Sequence, residues 1–326
     1  MNDLSAVPAA PAPLVRTFGW SMLAILAVFL VNNVLGVSFG LPGAPAALAG
    51  GGGLAWLQLA LYPAAIAAGA LLVFRSNGRT LRQDARLIHN FNLYLIRACF
   101  WAVLLVGLVD AFIAFLRVEN VLPGMIGQDA ALQLGRGQFV GPWIHMPLVV
   151  AGFVIALFSR TLGFTWLALL IVVAELTIVI TRFVLSYEQA LMGDLVRYWY
   201  AALFLFASAY TLFEDGHVRV DVLYSGFGPT LKGLVNAFGS IVLGASTCWV
   251  IIYIGLDGHH SIINSPVANF EVSQSGPAGM YVKYQMAAFL GIFAVTMLIQ
   301  FVSYFLEAVA DFRGEPGHQD HQPVTA

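Results

Sequence analysis

Eight long apolar stretches constrain this chain more than any other feature. A helix needs roughly 20 mostly apolar residues to cross the hydrocarbon of a bilayer, and such stretches succeed one another along most of the sequence. They run Phe18–Gly40, Leu54–Phe74, Phe91–Leu116, Trp143–Ser159, Gly163–Leu185, Val196–Phe213, Gly233–Leu256 and Tyr284–Leu306. The fourth and sixth are short, and the count falls to seven if Trp143–Ser159 does not fully span. Of 326 residues, 60% are hydrophobic and 10% charged, against about 25% charged in an average soluble domain. No soluble core could cover that much apolar surface. The expected fold is an all-α integral membrane protein with about eight transmembrane helices. Arg16 before the first stretch imitates a secretory leader. The stretch, however, runs on past Asn32 and Asn33 toward Gly40, beyond an h-region of about 7–15 residues, so it is read as an uncleaved span.

Loop charge orients the spans. With the N-terminus inside, the inner segments hold Arg16, Arg75, Arg79, Arg82, Arg86, Arg160, Arg219, Lys232 and Arg313. The outer ones hold Arg117, Arg136, Arg182, Arg197 and Lys283. That bias follows the positive-inside rule and places both termini in the cytoplasm, with Arg117–Pro142 and Asp257–Met280 outside. Residues 1–17 and 313–326 are expected to be disordered ends. Arg79–Asn90, with Leu81, Leu87 and Ile88 among arginines, is read as a basic loop or a short surface helix.

Ionisable groups at membrane depth are candidate sites. Asp110 in the third span and Glu175 in the fifth are the intramembrane carboxylates, with ion coupling weighed against helix–helix or subunit contact. Asn32-Asn33 reads as an interhelical hydrogen-bond site, and Arg97 and Arg182 as snorkelling cations. Cys99 and Cys248 sit in apolar runs as small core residues. His259 and His260 are adjacent and point different ways on a helix, so no metal site is assigned. Scattered His89, His145 and His217 support no haem. Serine-hydrolase, zinc-protease and phosphate-loop patterns are absent. The chain is expected to be no enzyme, to hold no cofactor, and, lacking a basic stripe, to bind no nucleic acid.

The densest polar cluster is Tyr210–Tyr224, where Glu214, Asp215, Gly216, His217, Arg219 and Asp221 follow the sixth span. His217, Arg219 and Asp221 alternate with valines, a two-residue period that suits an extended or turn segment. Bare in hydrocarbon, such a segment would leave its backbone groups unpaired, so it belongs at the membrane surface or against protein. Topology puts it inside, which favours a structural role. Gly216 permits a turn, and Arg219 pairs with Asp215 or Asp221 or meets phosphate headgroups or a partner.

Gly216-His-Val-Arg-Val-Asp-Val-Leu-Tyr224 resembles the signature of the small membrane subunit of tripartite ATP-independent periplasmic transporters, the DctQ family. Three further stretches resemble that family in its order: Ile180-Thr-Arg182-Phe183, Asp194-Leu-Val-Arg197-Tyr198, and Glu271-Val-Ser273 with Ser275-Gly276-Pro277 and Lys283. The resemblance covers about residues 163 to 313. It implies a four-helix membrane domain over 161–312 in the bacterial inner membrane. It also implies a large membrane subunit that carries substrate and coupling ion, and a periplasmic solute-binding protein delivering an organic acid or related solute. The chain itself becomes a non-catalytic scaffold. Residues 18–160 are an N-terminal membrane extension of about four helices that a minimal small subunit lacks. Within this reading Arg182 and Arg197 anchor outer helix ends or touch lipid or subunit, Tyr187, Tyr198 and Trp199 are interfacial belt residues, and Glu271 and Lys283 are outer-face contacts. The alternatives are a stand-alone carrier or channel using Asp110 and Glu175, and, further off, a metal or haem enzyme using His259 and His260.

Overall fold

The computed structural model describes residues 11–161, 163–214, 223–273 and 275–317. It is 81% helical with no strand among the described residues, and eight helices are long and apolar enough to cross a membrane. We number them α1 Pro13–Phe39, α2 Gly53–Arg75, α3 Leu81–Val118, α4 Gly137–Phe158, α5 Phe164–Val184, α6 Ala190–Phe213, α7 Pro229–Gly255 and α8 Lys283–Phe312. The fourth apolar stretch reaches spanning length because the helix begins at Gly137, before the apolar run. Its 22 residues rise about 33 Å. Two helices carry a π turn, Gly141–His145 in α4 and Ser240–Ala245 in α7. Short helices over Leu122–Ile126, Gln128–Leu134 and Asn264–Ala268 fill the loops.

Three expectations about the ends of spans are corrected. Helix α1 starts at Pro13, so residues 13–17 are helical; proline suits a first helical position because its missing N–H would be unpaired there anyway. Arg79–Asn90 is neither loop nor separate surface helix: from Leu81 it is the first part of the 38-residue α3. Its charges are tolerated because Arg82 and Asp84 are buried against partners of opposite sign. Residues 313–317 are ordered, with Glu315 buried and the Glu315 and Pro316 carbonyls accepting from Arg82.

The chain divides into two compact units. One comprises Met1–Asn92, Ala209–Tyr253 and Met297–Ala326; the other comprises Leu93–Ser208 and Ile254–Thr296. Each draws on residues from both sides of position 160. Helices α3, α6, α7 and α8 contribute a segment to each.

In the first unit α1 packs on α2. Asn32 Nδ2 donates to the Gln58 carbonyl at 3.3 Å, and Gln58 Nε2 returns a bond to Asn32 Oδ1 at 3.4 Å. Asn32 thus holds helix to helix, as read from the sequence. In the second unit an aromatic column forms the core. Phe206 meets Phe100 and Phe289 edge-on at 5.6 and 4.9 Å, and Tyr198 lies 5.2 Å from Phe289. There α4 approaches α3 so closely that a Cβ on Gly152 would lie 2.5 Å from the Ala102 nitrogen. Backbone contact of this kind through a small residue is a standard way to join membrane helices.

Candidate functional site

In the second unit, two buried carboxylates from different helices seize consecutive backbone amides just before α8. The N–H of Met280 donates to Asp194 Oδ2 at 3.0 Å, and the N–H of Tyr281 donates to Asp110 Oδ2 at 2.6 Å. Asp110 is fully buried and Asp194 nearly so. Asp194 Oδ2 also accepts from the Ser273 hydroxyl at 2.7 Å. Negative charge near a helix N-terminus is favourable, because the first-turn amides point there. The segment leading into α8 is therefore pinned twice, once by α3 and once by α6.

Gly279 leaves no room for a side chain: a Cβ would collide with Asp194 Oδ2 and Ser273 Oγ. Gly279→Ala is expected to push the carboxylate off the Met280 amide and to lower the melting temperature of the purified protein by several degrees. A variant that melts with wild type would show that the carboxylate is not needed there.

A chain of hydrogen bonds ends at His145, beside Asp110. Tyr198 donates to Gln285 Oε1, Gln285 Nε2 donates to the Tyr284 hydroxyl at 2.9 Å, and that hydroxyl lies 3.0 Å from His145 Nδ1. His145 Nε2 is 3.3 Å from Asp110 Oδ1, but the two are not aligned as a hydrogen bond. His145 comes inward on the π turn of α4, a kind of irregularity often found at functional positions. Around the same carboxylate, Arg117 donates to the carbonyls of Pro277 and Gly279 and lies 4.1 Å over the Tyr281 ring. The Tyr281 hydroxyl donates to the Gly135 carbonyl at 2.8 Å. Burial pushes the Tyr281 phenol above its ordinary value, Arg117 pulls it down, and Asp110 adds to the rise. The phenol stays protonated and keeps that bond.

The first unit holds its own polar network. Arg16 Nε donates to Asp84 Oδ2 at 2.7 Å and Arg16 Nη2 to the Ser76 hydroxyl at 2.8 Å, while Trp20 Nε1 donates to the same Asp84 oxygen at 3.0 Å. Arg82 bonds Glu307, Asp311 Oδ1 at 2.8 Å, and the carbonyls of Glu315 and Pro316. His89 Nδ1 lies 3.0 Å from Gln300 Oε1, which Asn92 also reaches.

The expected site residues scatter. Asp110 is in the buried network, whereas Glu175 stands exposed on α5 with no hydrogen bond or ion pair among the described residues. No hydrogen bond or ion pair joins the two. Tyr198 and Trp199 are not belt residues. Both are buried, Tyr198 completely, because Tyr198 has Gln285 as a partner and Trp199 packs against Gly107. Tyr187 is exposed and donates to Glu119, which holds its phenol above the ordinary value. Exposed Arg182 and Arg197 lie 3.7 Å from Glu188 and Asp194. Glu271 and Lys283 pair with each other at 2.6 Å. Glu214 is exposed at the end of α6, and Asp215, Gly216, His217, Arg219 and Asp221 lie outside the described residues. His259 and His260 are exposed in a loop, and among the described residues no three potential ligands gather as a metal site.

Sequence reasoning missed His145, Arg117, Tyr284 and Gln285. Asp194 stood inside a quoted motif but with no assigned role. Its signal was its place three residues before Arg197, at the start of an apolar helix.

Residues 168–311 match the family model described as tripartite ATP-independent periplasmic transporters, DctQ component. No curated protein and no solved structure matches the chain. The matched range holds α6 and α7 and nearly all of α5 and α8, including Asp194, Ser273, Met280 and Tyr281, while Asp110, Arg117 and His145 lie before it. With eight apolar helices the chain is a multi-pass membrane protein, and its segment 168–311 is similar to the DctQ component of tripartite ATP-independent periplasmic transporters.

Proposed function

We propose that this chain is the non-catalytic small membrane subunit of an ion-gradient-driven uptake transporter in the bacterial inner membrane. On this reading it scaffolds a large membrane subunit that carries the substrate and the coupling ion. The substrate is an organic acid or a related solute brought by a periplasmic binding protein. Both termini face the cytoplasm, in keeping with the loop charges. The residues 18–160 act as an integral brace for the family domain, since Asp110 and Asp194 hold neighbouring amides of one segment.

One observation carries the scaffold role. Helix α5 buries only 11% of its most apolar window and exposes Leu169, Val172, Val173, Leu176, Val179 and Ile180 together with Glu175. Lipid would satisfy the apolar side chains. It would not satisfy a carboxylate at mid-span, which requires a donor or cation. A helix of the large subunit that presents such a group supplies what this face lacks. A stand-alone carrier built on Asp110 and Glu175 is less well supported: one carboxylate is committed to the Tyr281 amide and the other has no hydrogen bond or ion pair among the described residues.

The test is co-purification from membranes that express both subunits. Glu175→Leu is expected to reduce the recovered large subunit at least fivefold while leaving the melting of this chain alone unchanged; Glu175→Gln retains part of the recovery. Full recovery with Glu175→Leu would remove the α5 face as the contact. Solute uptake into liposomes by this chain alone would overturn the subunit reading itself.

A further inference from the structure

The first unit contains a cleft of about 390 Å³ that has no part in the subunit reading. It is lined by Arg86, His89, Asn90, Phe213, Gln300 and Glu307, among others. Phe213 is the last residue of α6, Arg86 lies in the second turn of α3, and Glu307 falls within the last two turns of α8. The cleft therefore lies near the ends of three spans, at the depth where lipid headgroups meet protein.

Its chemistry is unfinished. Gln300 is 1% exposed. Its Oε1 is taken by His89 Nδ1 at 3.0 Å and Asn92 Nδ2 at 3.3 Å, while its Nε2 has no partner among the described residues. A buried donor left without an acceptor is costly, so the amide nitrogen calls for an acceptor in the cleft. Arg86 is exposed and has no hydrogen bond or ion pair among the described residues. Arg86 and the Gln300 amide together suit an oxyanion, and a guanidinium is well matched to phosphate. Glu307 adds a negative charge on the same wall. One of its oxygens takes a bond from Arg82, and its side chain is one-third exposed. Arg82 is shared with Asp311, so it does not cancel both carboxylates. A ligand bearing only negative charge would meet Glu307 unfavourably; one carrying a phosphate and an ammonium would match both signs. His89, stacked on Phe213 with ring centroids 3.5 Å apart, gives the cleft a flat, partly apolar wall.

We propose that this cleft holds the headgroup of a zwitterionic phospholipid of the phosphatidylethanolamine type, with its phosphate on Arg86 and the Gln300 amide and its ammonium on Glu307. The primary ammonium donates hydrogen bonds that the quaternary ammonium of phosphatidylcholine lacks, and phosphatidylglycerol lacks the positive charge altogether. The site selects by headgroup rather than by acyl chain.

Native mass spectrometry of the full chain, titrated with each of the three lipids, tests this. Phosphatidylethanolamine is expected to bind one per chain and at least tenfold tighter than the other two. Arg86→Gln and Gln300→Leu are each expected to weaken it about tenfold. Arg86→Gln removes an exposed side chain with no described partner and leaves the melting temperature unchanged, so loss of binding there is not loss of fold. Glu307→Gln is expected to reverse the preference toward phosphatidylglycerol. Equal binding of the three lipids, or unchanged binding to both Arg86→Gln and Gln300→Leu, overturns the site. Glycerophosphoethanolamine competing as strongly as the lipid overturns the membrane as the source of the ligand.

Discussion

Replacing Asp84 by Leu is expected to destabilise the protein by about 3–5 kcal/mol, because it leaves the Arg16 guanidinium as a buried charge without its counterion. Both side chains are almost wholly enclosed, at 3% and 0% exposure. Asp84 Oδ2 accepts from Arg16 and from Trp20 together, so the substitution strands two donors. The pair itself is a weaker stabiliser than this figure suggests. Much of the attraction between two buried charges is offset by the cost of removing them from water, and breaking such a pair costs more than replacing it whole. Arg16→Met combined with Asp84→Leu is therefore expected to regain most of the loss. Asp84→Asn should fall between, since its carbonyl still accepts one bond. Melting of the purified protein in detergent orders the four forms. A single Asp84→Leu variant that melts with wild type would show that Arg16 finds another partner or water.

How far the sequence foretold this fold depends on the range of the interaction involved. The spans were legible because apolar length is a property of the segment itself, and all eight stretches became helices. The beginning of α3 was not. Arg79, Arg82 and Arg86 made residues 79–90 look like a cytoplasmic loop or a surface helix, and the groups that bury Arg82 stand at Glu307 and Asp311, more than two hundred positions away. The same distance hid the end of the chain, where residues 315 and 316 are held by that arginine. Tyr198 and Trp199 follow Arg197 and read as an interfacial belt by proximity, but the helix turns them inward while Arg197 stays exposed. Asp110 was legible as a costly group needing a partner. That the partner would be a backbone amide at Tyr281 was not, because amides carry no sequence signature. His145 reaches the network through a π turn, and neither neighbouring Gly141 nor Pro142 announces one on its own.

The two carboxylates before α8 make the sharpest energetic claim. Asp194→Ala is expected to strand two buried donors, the Met280 amide and the Ser273 hydroxyl. At about 1–3 kcal/mol for each unsatisfied group, the loss is roughly 2–6 kcal/mol. Asp110→Ala strands one amide donor, that of Tyr281, and removes the charge facing His145. It is expected to cost less than Asp194→Ala, and Asp110→Asn less again, because an amide oxygen still accepts from Tyr281. The two sites should not be independent. Met280 and Tyr281 share one backbone, so once either carboxylate is lost the segment can shift and let water reach both amides. The double variant is then expected to cost less than the sum of the single ones, by about 0.5–3 kcal/mol of coupling. Amide exchange gives the local readout: either single alanine variant should speed exchange at both 280 and 281, not only at the residue whose acceptor was removed. Additive losses with exchange confined to one amide would mean that α3 and α6 hold this segment separately, and the proposed brace by residues 18–160 would then fail at this point.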